Sequence, residues 1–168
     1  MIFRPALLSD LPSMMDIVRQ AQEALKQSGV NQWQNGYPAP DMIRRDIENK
    51  HAYVLIEDDR IVAMESIIFN YEPAYDRIYD GEWLSKGTFA VVHRMAVDNR
   101  MKKRGIASFL LKKAEEMAVE KGIISVKVDT HESNVPMRRT LEKNGFTCCG
   151  RIFLADGNPR VAYEKLPG

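Results

Sequence analysis

Arg94-Met95-Ala96-Val97-Asp98-Asn99-Arg100-Met101-Lys102-Lys103-Arg104-Gly105-Ile106-Ala107-Ser108-Phe109-Leu110-Leu111 changes character twice within one short stretch. Its first residues continue an apolar run that begins near Thr88, and the run reads as a strand ending at about Val97. Four cations follow between 100 and 104, and Gly105 then opens a helix whose apolar face is Ile106, Phe109, Leu110, Ala114, Met117 and Ala118. Gly122 closes that helix. Beyond it Ile124, Val126, Val128 and Thr130 alternate with Ser125, Lys127 and Asp129, which is the period of a second strand. A strand, a helix and a strand in this order make a parallel crossover, so the fold class is α/β and a ligand is expected where the two strands end.

Working outward, residues 2–7 read as a strand, and Ser9 or Asp10 should cap a helix with Leu11, Met14, Met15, Val18, Ala21 and Leu25 at helical spacing up to Gly29. The segment 31–38 has no periodicity and leads to a shorter helix over about 41–49. His51–Glu57 and Ile61–Phe69 read as a hairpin around Asp58-Asp59-Arg60. Residues 70–87 hold Tyr71, Tyr75, Tyr79 and Trp83 among turn formers, the composition of a long loop packed by its own side chains. Asn134 and Pro136 open a last helix that stops at Asn144-Gly145, and 146–154 and 160–166 form a closing hairpin. The element order is β-α-α-β-β-β-α-β-α-β-β, with no internal repeat.

At 168 residues the expectation is one domain, 1–168. Twenty-four Lys and Arg against 23 Asp and Glu leave a formal net charge of +1, so no global field attracts nucleic acid or an anionic membrane. The short run at 100–104 also lacks the stacking aromatics of a nucleic-acid surface. Cys148 and Cys149 are adjacent, which fits neither a disulfide framework nor a zinc site, and three scattered histidines offer no metal spacing. We expect no metal, no membrane span and no secretion signal, and hence a cytoplasmic protein. A homodimer stays open.

The basic run lies between a strand's carboxyl end and a helix start. There Gly105 and Ala107 would let an anion approach backbone N–H groups reinforced by the helix dipole. That reads as a phosphate-binding turn. The Gly-Lys-Ser/Thr of nucleotide hydrolases is absent, as are the three glycines of a dinucleotide fingerprint.

Residues 94–111 resemble the acetyl-CoA signature of the GCN5-related N-acetyltransferases (GNAT), Gln/Arg-x-x-Gly-x-Gly/Ala, here Lys102-Lys103-Arg104-Gly105-Ile106-Ala107 with Lys at the first position. Asp129-Thr130-His131, Asn134 and Leu141-Glu142-Lys143-Asn144-Gly145-Phe146 resemble the family's second motif, and Arg4-Pro5-Ala6 with Asp10-Leu11 its start. The resemblance implies a mixed central sheet of about seven strands flanked by about four helices, with acetyl-CoA as co-substrate. It also implies an N-acetyltransferase acting on a primary amine of a small molecule, amino acid or peptide terminus. By the same resemblance the pyrophosphate would sit at Lys102, Lys103, Arg104, Gly105, Ile106, Ala107 and Ser108, and the pantetheine arm along Met95, Ala96 and Val97 and against Asn134. Asn134 equally suits a helix N-cap. The alternative is an acyl-CoA-binding sensor or partner module with little catalysis.

Attack of a neutral amine on a thioester needs a base and a donor for the oxyanion, the latter a backbone N–H near Ala96. His93, with an ordinary pKa of about 6.5, is the first candidate base. The resemblance adds that arylalkylamine acetyltransferases carry a histidine at the matching place, whereas histone-type members carry a Glu two residues earlier, where this chain has Val91. Glu65, an acid amid Ala63, Met64, Ile67 and Ile68, competes. Many relatives carry a Tyr seven residues after the motif Asn as acid for the thiolate; here Leu141 stands there, leaving Tyr163, Cys148 and water. Trp33, Asn35, Tyr37 and Tyr75, in the two aperiodic loops, are the candidates for the acceptor pocket, and neither loop holds an acidic cluster for a polycation.

Overall fold

A computed structural model describes residues 1–168. The strands are β1 (Ile2–Pro5), β2 (Ala52–Glu57), β3 (Arg60–Phe69), β4 (Ala90–Val97), β5 (Val126–Thr130), β6 (Thr147–Phe153) and β7 (Pro159–Lys165). The helices are α1 (Leu11–Gln27), α2 (Pro40–Glu48), α3 (Ile106–Glu120) and α4 (Val135–Lys143), with 3₁₀ turns at Leu8–Asp10, Pro73–Tyr75 and Asn99–Met101. The strands join in the order β1-β2-β3-β4-β5-β7-β6, a mixed seven-stranded sheet with four helices as expected, and β4–β5 is the parallel pair. The chain divides into two compact units, Met1–Ile67 with His93–Leu110, and Ile68–Val92 with Leu111–Gly168.

In the first unit the period-2 alternation of β2 and β3 assigns their faces. Val54 and Met64 pack with Met14, Ile17, Val18, Ile43 and Ile47 of α1 and α2, whereas Leu55 and Ala63, one residue away, pack with Met101, Ile106 and Leu110. Both faces are covered, which is why these strands read as continuous apolar runs. At about 25 cal/mol per Å² each fully buried Leu or Ile contributes roughly 1.5–3 kcal/mol. β4 lies beside β3, with Asp98 N donating to Val62 O at 2.9 Å.

Asp10 does not cap α1 through its side chain. Pro12 removes an N–H from that first turn, and the carboxylate instead accepts from Leu7 N at 2.7 Å and twice from the Arg4 guanidinium at 2.7 and 3.1 Å. The 3₁₀ turn 8–10 and this fork fix how β1 hands over to α1.

In the second unit the loop 70–87 is packed by its own aromatics, as its composition implied: the Tyr75 and Trp83 rings lie 5.2 Å apart, tilted at 51°, in a cluster with Val91, Ile152 and Ala162. Gly81 is obligatory there, because a Cβ would stand 1.9 Å from Cys149 O. The polar side of β5 is covered as well. Lys127 lies 4.2 Å from the Trp83 ring and 4.4 Å from the Phe89 ring, opposite the buried Glu164, which accepts from Leu84 N and from Ser85 and Ser125 Oγ. Strand β5 starts at Val126, and Ile124 is outside it and exposed.

Candidate active site

The turn after β4 is organised by one carboxylate. Asp98 Oδ1 accepts from Arg100 N at 2.9 Å and Arg100 Nε at 3.0 Å, and Oδ2 accepts from Arg100 Nη2 at 2.8 Å. Gln20 of α1 reaches the same carboxylate, and its own oxygen accepts from Asn99 N at 2.7 Å. The Arg100 hydrogen bonds hold Asp98 well below the usual carboxylate range, so it stays ionised. Lys103 and Gly105 then take left-handed conformations, φ +64° and +75°, and reverse the chain into α3. Nothing lies within 4 Å of where a Gly105 Cβ would stand. Ile106, 3% exposed, anchors the helix start in the core, and Phe109 N donates to Gly105 O at 3.0 Å.

The four cations separate into two kinds. Arg100 serves Asp98, and Arg104 forks onto Glu57 at 2.9 and 3.1 Å, so both hold the turn in shape. Lys102 and Lys103 are exposed and make no ion pair. A left-handed glycine, open space beside it, the start of a fifteen-residue helix and two exposed cations thus meet at one turn. Of the residues expected along a pantetheine arm, Met95 and Val97 face the Leu55–Leu110 cluster and Ala96 faces the α1–α2 side.

His93 is partly exposed, near the middle of β4, and makes an interaction of its own. Arg94 beside it has φ +49°, a left-handed residue inside a strand, which re-aims the adjoining peptides as a bulge does. Its guanidinium forks onto Asp46 of α2 through Nε and through Nη2 at 2.9 Å; Ser66 Oγ donates to the same carboxylate at 2.7 Å, and Arg94 Nη1 donates to Tyr37 Oη at 3.1 Å. Both charged side chains are under 10% exposed. Removing one would strand the other at a cost of about 3–5 kcal/mol. Sequence reasoning passed over this network, although Asp46 between Ile43 and Ile47 on an apolar helix face was a signal that a buried cation must meet it.

Glu65 is fully buried and neither carboxyl oxygen has a hydrogen-bond partner. Burial pushes its pKa well above the usual range, which disfavours the ionised form that a base needs. A raised folded-state pKa favours folding fully below the unfolded value of about 4.3 and loses that contribution as pH rises toward the folded value. Glu65→Gln should therefore gain on the wild type by up to about 1.4 kcal/mol per pH unit above about pH 4.5. Denaturant unfolding of both proteins at pH 4.5 and 7 checks this; a difference independent of pH would refute it.

Of the acceptor candidates in the first unit, Trp33 packs against the α1–α2 cluster, Asn35 is exposed, and Tyr37 is 40% exposed. In the second unit Tyr75 is 4% exposed with its hydroxyl donating to Asp129 at 2.6 Å, a core position rather than an open wall. Asn134 Oδ1 accepts from Met137 N at 3.3 Å and caps α4. Leu141 is fully buried, so a Tyr there would overpack rather than reach out. Tyr163 Oη accepts from Arg138 Nε at 3.0 Å and donates to Glu142 at 3.2 Å; Cys148 is exposed and Cys149 buried.

The sequence matches the model of the acetyltransferase (GNAT) family over residues 15–146. No curated protein matches it. Among solved structures, a GNAT-family acetyltransferase from Streptococcus agalactiae 2603 has a TM-score of 0.90 at 32% identity, over 99% of this chain and 95% of that one. A putative acetyltransferase from Staphylococcus aureus Mu50 gives 0.74 at 24% over 100% of both chains. The ribosomal-protein-alanine N-acetyltransferase from Brucella melitensis gives 0.71 at 17% over 99% of both, a likeness of fold alone. No helix is long and apolar enough to cross a membrane.

Proposed function

Because the chain belongs to the acetyltransferase (GNAT) family and is thus an acetyl-CoA-dependent acyltransferase, we propose that it N-acetylates a primary amine of a small molecule, amino acid or peptide terminus, in the cytoplasm. The observation that carries the reading is the turn at Gly105. Its left-handed backbone leaves room that any Cβ would fill, beside exposed Lys102 and Lys103 and the amides of Ile106, Ala107 and Ser108. These residues fit a pyrophosphate.

Acetyl-CoA supplies the thioester. His93 takes the proton of the attacking amine, directly or through one water, as the C–N bond forms. A backbone N–H near Ala96 faces the developing oxyanion, an arrangement supported by the left-handed Arg94 just before it. The C–S bond breaks and CoA leaves as a thiolate; with an ordinary thiol pKa of about 8.5 it needs no dedicated acid, in keeping with Leu141. Trp33, Asn35 and Tyr37 would border the acceptor. An amine panel followed by release of the CoA thiol tests the reading: turnover with primary amines is expected, and bound acetyl-CoA with no turnover on any amine overturns it.

A further inference from the structure

The α1–α2 loop is fastened at one residue. Tyr37 O accepts from Gln22 Nε2 at 2.8 Å, and Gln34 Nε2 returns to Gln22 O at 3.0 Å, so the loop is tied to α1 through its backbone. The Tyr37 ring stays 40% exposed while its hydroxyl oxygen accepts from Arg94 Nη1 at 3.1 Å. Arg94 cannot move, since Asp46 grips its other two nitrogens and Ser66 grips Asp46. A tyrosine oxygen that accepts from a guanidinium still owns one O–H to donate. That proton has no protein acceptor: Tyr37 Oη makes no other hydrogen bond. The charge of Arg94 polarises the hydroxyl and makes it a stronger donor. The Arg94–Asp46 pair is neutral as a whole, so what Tyr37 presents at the surface is a fixed hydrogen-bond donor rather than a net cation. It is held by the residue that directly follows His93 in the strand.

Resting on the N-acetyltransferase reading above, we propose that Tyr37 Oη–H is a specificity donor for a carbonyl or carboxylate oxygen next to the acceptor amine. The preferred substrates are then α-amino acids, their amides or peptide N-termini, and simple alkyl- or arylalkylamines are poor ones. Tyr37 binds and orients the acceptor; Arg94 and Asp46 act through it as positioning residues.

The test compares phenylalanine, phenylalaninamide and phenethylamine, which share a side chain and differ in the oxygen beside the amine. With wild-type protein kcat/KM for the better of the first two should exceed that for phenethylamine by about tenfold or more, the worth of one well-placed charge-assisted hydrogen bond. The ratio between the first two separates a free carboxylate from a peptide carbonyl. In Tyr37→Phe the advantage over phenethylamine should shrink to about unity, chiefly through KM, with the thermal midpoint unchanged because the ring is at the surface. An advantage that survives Tyr37→Phe, or a wild type that prefers phenethylamine, overturns the proposal. Should no amine turn over, binding of the three compounds to protein loaded with desulfo-CoA decides it separately: a preference erased by Tyr37→Phe sustains the donor while catalysis fails, and equal binding ends it.

Discussion

Gly105→Glu should lower acetyl-CoA affinity by about 100-fold or more, beyond the reach of ordinary titration. Two effects add. At φ +75° any side chain is strained, by about 1–2 kcal/mol for an L-residue in the left-handed region. The glutamate would also place a negative charge where, on the proposed reading, the pyrophosphate lies beside Lys102 and Lys103. The protein itself should still fold, because a Cβ at this position meets no other atom within 4 Å and the position is exposed. Gly105→Ala, which carries the strain without the charge or the bulk, should lose less. Calorimetry on both variants measures the difference, and wild-type affinity in Gly105→Glu would show that the turn does not hold the cofactor.

His93→Ala should reduce kcat by about 10²–10⁴-fold while acetyl-CoA affinity stays near that of the wild type, since a positioned proton acceptor acts on the chemical step. The burial of Glu65, with neither carboxyl oxygen hydrogen-bonded and its pKa raised, sharpens the comparison. Glu65→Gln preserves shape and should keep most of the rate at neutral pH. If Glu65→Gln instead loses both its rate and the acidic limb of its pH profile while His93→Ala stays active, the assignment of the base passes to Glu65.

The periodicities of the sequence carried most of the architecture because each strand and helix is locally consistent. The α3 stripe from Ile106 to Ala118 and the alternation from Val126 to Thr130 could hardly be read as anything else. Boundaries moved where a tertiary partner outbid a local rule, as when Asp10 left its capping duty for Arg4. The shape of the turn at Gly105 was legible because glycine, cations and helix start are contiguous in sequence. The Arg94 network was not, since its members stand at 37, 46, 66 and 94 and only folding brings them together. Nor could composition show that the loop containing Tyr75 turns its ring inward while the loop containing Tyr37 leaves its ring outside; that choice goes with the partner each hydroxyl meets, Asp129 for Tyr75 and Arg94 for Tyr37.

The way Asp98 gathers Arg100 and Gln20 bears on the thermodynamics of whatever the turn holds. A free glycine-bearing loop has many shapes, and fixing one costs about 1–2 kcal/mol per residue in backbone entropy. Here the 98–101 turn is moulded by a buried carboxylate and a strut from α1 as part of folding itself. Binding then selects from a cradle that already has its final shape, so little of the interaction energy is lost to ordering and the association rate is not gated by a loop search. Loosening Gln20 would move that cost back into the encounter, and a weaker complex would form with its direct contacts intact.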